Sequence, residues 1–465
     1  MNYDPKTAWQ PYKPTAANPW DHRKVGHLHR RAGFGAIYAE LEAGVKDGHA
    51  KTIDRLLTGG PKDDDFEKSS DFMASERSLP AGTPAVQLGA WWLYRMLRTP
   101  HPFHEKMCLF WHNHFATSIT KVQNARYMLG QYRKIQQHAL GSFRKLLHAM
   151  TLDPAMMVWL DTTDSKKGKP NENYARELME LFSLGIGNYT EKDIREAAKA
   201  FTGYSVKQGQ SHFTAKEHDA GPKSVLGKTG PFQAGDIVDI CLDQKACPRL
   251  IVGKIYQFLF SDAEAPKPEL LEPLIQEYVA SQFDTGKLVA TMVRSNHFFS
   301  PDVYRAKVKS PVEFAVGIVR ALEGNVGPLN LANALETLGQ ALFAPPSVKG
   351  WDGGATWLNA QTLLFRQNLA LALTSTEDSR FGRRCDPVTI LSKHDRRTDE
   401  AAIEFLLQVF LQNDVAPDAR QQLLDYAKRS KATKHPPFWS AADVANHRTR
   451  TLAHLTLTLP EFQLN

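Results

Sequence analysis

His112 and His114, one residue apart in Phe110-Trp111-His112-Asn113-His114-Phe115, have types and spacing that suit metal chemistry. Their imidazole nitrogens could bind a borderline divalent ion such as zinc, manganese or iron. In extended backbone such a pair shares one side, whereas in a helix the two rings diverge by roughly 200° at 3.6 residues per turn. The pair therefore converges on one ion only if the helix ends before His114. Otherwise each ring packs among the neighbouring aromatics and finds its own hydrogen bond. His27-Leu28-His29 has the same ambiguity and precedes Arg30-Arg31-Ala32-Gly33-Phe34-Gly35.

Carboxylates come next, in Pro170-Asn171-Glu172-Asn173-Tyr174-Ala175-Arg176-Glu177-Leu178-Met179-Glu180-Leu181-Phe182. Pro170 and the asparagines suit a helix start. Inside that helix Asn173, Glu177 and Glu180 stand at i, i+4 and i+7, so their polar ends share a face, with Leu178, Leu181 and Phe182 opposite. Glu177 and Glu180 are candidate ligands or general bases, and Arg176 a candidate to hold a substrate anion or orient a carboxylate. Asn171 and Asn173 are candidate substrate-binding residues. The competing reading is a solvated, salt-bridged face. A third group, His218, Asp219 and Lys223, offers an imidazole, a carboxylate and an ammonium within a long glycine-containing connection. Its alternative is an ordinary turn. Trp351 and Asp352 stand among glycines in Lys349-Gly350-Trp351-Asp352-Gly353-Gly354 and are candidates for substrate contact, or for pinning a tight turn.

Helices must position these groups. Apolar residues three and four apart mark runs at 90–97, 104–115, 128–150 (broken near Gly141), 174–184, 191–201, 237–242, 250–260, 270–280, 288–295, 312–322, 331–342 and 360–373. Period-2 runs rich in Val, Ile and Thr are nearly absent, which predicts a mainly α fold with long functional loops and at most a small β-hairpin element, within 203–230. The polar stretch 161–170 reads as a loop, and 205–232 as a long connection of the kind that carries function. The charged patch 377–400 suggests a main helical core over 1–375 and a C-terminal helical lobe over 376–465 packed on it, or a single domain.

Composition narrows the classes. Of 465 residues, 57 are Lys or Arg and 50 Asp or Glu, a surplus of +7 that is far from the dense basic stripe of a nucleic-acid binder. The four cysteines, Cys108, Cys241, Cys247 and Cys385, form no C-x-x-C pair, which fits a reducing compartment. No signal pattern opens the chain and no run is long enough to span a membrane, so a soluble, cytoplasmic protein is expected. There is no H-E-x-x-H, no P-loop, no G-x-S-x-G and no Glu-x-x-His.

The stretch 27–35, the stretch 110–115, residues 170–182 with Gly185-Ile186-Gly187-Asn188-Tyr189-Thr190, His218-Asp219, Lys309-Ser310-Pro311-Val312-Glu313-Phe314, Pro345-Pro346-Ser347-Val348-Lys349-Gly350-Trp351-Asp352-Gly353 and Leu459-Pro460-Glu461-Phe462-Gln463 together resemble the family catalogued as domain of unknown function 1800. The resemblance runs over nearly the whole chain. It implies a mostly helical bacterial protein, often paired with a second family that carries export signals, and it implies no reaction, cofactor or catalytic residue. Two function classes follow. One is an enzyme, possibly dependent on a divalent metal, whose site gathers the His112/His114 corner, the Glu177 face and the His218 loop. The other is a non-catalytic interaction or escort protein for a partner bearing an export signal, through which export remains possible.

Overall fold

The computed structural model describes residues 5–262 and 265–465. Apolar spacing turns directly into buried helix faces. Ala85–Arg98 buries Leu88, Trp91, Trp92 and Met96, and Pro102–His114, opened by a proline whose missing N–H is no loss at that position, buries Met107, Phe110 and Trp111. The run broken at Gly141 becomes two helices, Ala125–His138 and Phe143–Thr151. Pro311–Ala321 starts on a reciprocal cap: Ser310 Oγ accepts from Glu313 N–H, and the Glu313 carboxylate accepts from Ser310 N–H at 2.7 Å. The fold is mainly α. Helices at His22–Arg31, Tyr38–Asp47, His49–Thr58 and Asp64–Met73 precede the first run that periodicity marked. They are short and rich in charge, which blurs their apolar stripe.

The connection 205–232 is more ordered than its composition predicts. Strands β1 (Tyr204–Lys207) and β2 (Gln210–Phe213) pair antiparallel with Tyr204 opposite Phe213, and β3 (Lys223–Val225) pairs with β4 (Lys228–Gly230). Each hairpin turns on two residues of positive φ, Gln208-Gly209 and Leu226-Gly227, the geometry that matches strand twist.

One contiguous apolar core runs through the described chain and includes Trp92, Phe182, Ile255 and Phe314 together with Leu373, Ile403, Phe410 and Leu452. Ala360–Thr374 packs against Ala441–Thr458, so the C-terminal helices share this core. Among the described residues no helix is long and apolar enough to cross a membrane. All four cysteines are buried thiols, and burial raises their pKa values.

Candidate functional site

The helix Pro102–His114 continues through both histidines, so their rings point to different neighbours and do not meet over one ion. His112 is buried edge-on to Trp92, at 5.1 Å between ring centroids, and its Nε2 accepts from Phe343 N–H at 3.3 Å. Desolvation lowers its pKa to about 3. His114 turns to the carboxylate helix, where its Nε2 donates to the Phe182 carbonyl at 3.2 Å. Its Nδ1 faces Lys254 Nζ at 3.4 Å, and burial followed by that ammonium lowers its pKa well below the usual value. Between them, Asn113 grips one peptide unit on each side of Trp351: its Oδ1 accepts from Trp351 N–H at 2.7 Å and its Nδ2 donates to the Trp351 carbonyl at 3.2 Å. The Trp351 ring is buried 5.8 Å from His112. Gly350 has φ +86°, and a Cβ there would overlap Asn113 Oδ1. Three consecutive side chains thus fasten one helix end to two distant segments.

The carboxylate helix is α-helical over Asn173–Glu177 and widens into a π turn over Leu178–Ser183, where Leu184 N–H reaches back to the Met179 carbonyl at 2.9 Å. Lys254 Nζ donates to the Leu181 carbonyl at 2.8 Å, so Lys254 and His114 together cap the last turn, whose carbonyls have no partner within the helix. Burial lowers the Lys254 pKa to about 8. Arg176 forms a two-pronged pair with Glu191, at 2.7 and 2.8 Å, and reaches Glu172 at 3.4 Å. Glu180 accepts from Tyr189 Oη at 2.7 Å. Glu177 is half-buried; desolvation first, then the neighbouring Glu180 charge, raises its pKa against the opposing pull of Arg176. Asn171 Oδ1 accepts from Asn173 N–H at 2.9 Å, and Asn173 Nδ2 donates to Asp161 at 3.1 Å.

In the hairpin region His218 Nδ1 donates to the Thr202 carbonyl at 2.9 Å, and Asp219 closes a local turn by accepting from Gly221 N–H at 3.0 Å. Lys223 is fully buried and donates to the carbonyls of Asp219, at 2.6 Å, and Gly221, at 3.0 Å; burial lowers its pKa. This region meets the loop before the carboxylate helix through backbone, with Lys167 N–H on the Glu217 carbonyl at 2.7 Å and Gly203 N–H on the Ser165 carbonyl at 3.0 Å. Asp352 is exposed and pairs with Lys349 at 2.7 Å.

The three groups are therefore neighbours joined by main chain, and each polar side chain except Glu177 already has a partner of its own. Among the described residues no three His, Cys, Asp or Glu side chains come together in a way that could hold a metal ion. Zinc, manganese or iron at His112 and His114 finds no carboxylate to complete its ligand set there.

A family described as a protein of unknown function (DUF1800) matches residues 27–464. The chain belongs to this family. No curated protein and no solved structure matches it significantly.

In this DUF1800 member, three of the stretches that carry the resemblance meet around Glu313, a convergence that sequence reading missed. Lys106 pairs with Glu313, and Glu313 also lies in the field of Lys307, Lys309, Arg31 and Arg366. These cations are all buried, as is Arg30 beside them. Lys106 first, against the cost of burial, keeps the Glu313 carboxyl down at about 2. The available signal was the adjacent Arg30-Arg31 on an otherwise core-facing helix, with Lys309 four residues before Glu313.

Proposed function

We propose that this protein works by binding: it is an interaction or escort protein whose motif residues fasten its helices, with a partner bearing an export signal as the chemistry-bearing or cargo component. The observation that carries this reading is the His112-Asn113-His114 staple, in which every side chain is committed to a main-chain group of another segment. Exposed apolar residues supply a surface for it: Leu364 and Leu371 lie two turns apart on one face of Ala360–Thr374, at 55% and 49% exposure.

Co-expression with a member of the export-signal family tests this. The expected result is a complex that survives size-exclusion chromatography, is unchanged in Glu177→Gln and is weakened at least tenfold in the double variant Leu364→Asp, Leu371→Asp. Absence of any complex, with a turnover that Glu177→Gln abolishes, would overturn it.

A second reading rests on Glu177 itself. A half-buried carboxylate with raised pKa, beside Glu180 and on a π turn, is the kind of group an acid–base catalyst uses. In that reading Glu177 moves the proton, Glu180 and Arg176 orient the substrate, and a divalent ion would have to bind at the carboxylates rather than at the histidines. Metal analysis of the purified protein separates the two: a stoichiometric ion lost in Glu177→Gln supports the enzyme.

A further inference from the structure

Between the end of His22–Arg31, the start of Pro311–Ala321 and the helix Asp399–Leu411 lies a cleft of about 400 Å³ counted to its mouth. Its enclosed part, about 20 Å³ open to the centre of a water-sized body, suits one small ion or one to two waters. Gly26, Gly35 and Gly317 line it and leave room that side chains would fill. The polar lining is cationic and amide. Arg30, 7% exposed, donates from Nη1 to Gln412, while its Nε and Nη2 are buried without a hydrogen-bond partner among the described residues. Asn465, 1% exposed, has a buried Nδ2 in the same condition. Lys309 spends one of its three N–H donors on the Phe462 carbonyl at 2.8 Å.

We propose that this cleft is a binding site for a small oxyanion, of carboxylate or phosphate chemistry, held by Arg30, Lys309 and Asn465. Buried donors left unmet are unfavourable, and a guanidinium edge offering Nε and Nη2 side by side matches two oxygens of one oxyanion. The charge balance agrees. Arg30, Lys309, Arg305 and Arg366 repel one another here, and burial together with that repulsion lowers the Lys309 pKa well below its ordinary value. The one carboxylate in the lining, Glu313, does not neutralise them freely, because one oxygen is taken by Lys106 and the other by Ser310 N–H. An anion in the cleft supplies the missing negative charge and meets three sets of donors at once. This site is independent of the partner reading and of Glu177.

Calorimetric titration of the full chain with inorganic phosphate, formate and chloride, at constant ionic strength, tests the assignment. The expected result is one saturable site for phosphate or formate, with chloride at least tenfold weaker. Phosphate without formate assigns the site to phosphate chemistry, and formate without phosphate to carboxylate chemistry. Arg30→Gln is expected to abolish binding. Because that variant also removes a bond to Gln412, Asn465→Leu serves as the second: it narrows the cleft, leaves Arg30 in place and is expected to weaken binding at least tenfold without lowering the melting temperature. No saturable heat with either oxyanion, equal heats with chloride, or unchanged affinity in Asn465→Leu would each overturn the proposal.

Discussion

His112 shows how a residue chosen for its chemistry is used for packing. Its neutral ring accepts one main-chain hydrogen bond among Trp92, Phe343 and Trp351, and its folded pKa is about 3 against 6.5 for the free side chain. Between those values the unfolded chain binds a proton that the folded chain refuses. Stability is therefore full above pH 6.5 and is lost as pH falls toward 3, by an amount on the order of 4 kcal/mol for this residue. His27 and His114 act in the same direction, each lowered by burial first. Urea midpoints measured from pH 7.5 to 4 are expected to fall steeply, and less steeply in His112→Gln, which keeps an acceptor for Phe343 N–H but does not titrate. The pair His112/His114 was legible in the sequence as two imidazoles; their separation was not, because it depends on whether the helix stops one residue earlier.

Helices set those side chains, and most helix positions follow from spacing alone, since a stripe three and four apart has one way to be buried. What spacing could not supply is the way a segment ends. Stretching of 174–184 into a π turn depends on distant donors, Lys254 and His114, to satisfy the Leu181 and Phe182 carbonyls. The ordering of 205–232 depends on two turn dipeptides, Gln208-Gly209 and Leu226-Gly227, weaker signals than Asn-Gly. Gly350 was legible as a tight turn, but its reason lies across the molecule at Asn113. Gly350→Ala combines a strained positive φ with a clash against Asn113, and is expected to lower stability by about 2–3 kcal/mol in urea unfolding. A melting temperature equal to that of the unaltered protein would show that the turn is free to move.

Across the whole molecule, segments far apart in the chain converge. Residues 27–35, 309–314 and 459–463 meet around Glu313 and its buried cations, and the apolar core extends through the C-terminal helices without a break. Such convergence is invisible in one sequence, because Arg30, Lys309 and Asn465 carry no common spacing. The account places the weight of the polar motifs on holding this assembly together, and it leaves Glu177 as the motif side chain that holds nothing. Urea unfolding of Asn113→Ala beside Glu177→Gln tests that division most directly. Asn113→Ala removes both bonds to Trp351 and is expected to lose about 2–3 kcal/mol. Glu177→Gln replaces a carboxylate whose ionised form is disfavoured in the fold, and is expected at pH 7 to unfold at the same urea concentration or a higher one. Asn113→Ala with the midpoint of the unaltered protein, or Glu177→Gln with a loss as large as that expected for Asn113→Ala, would contradict it.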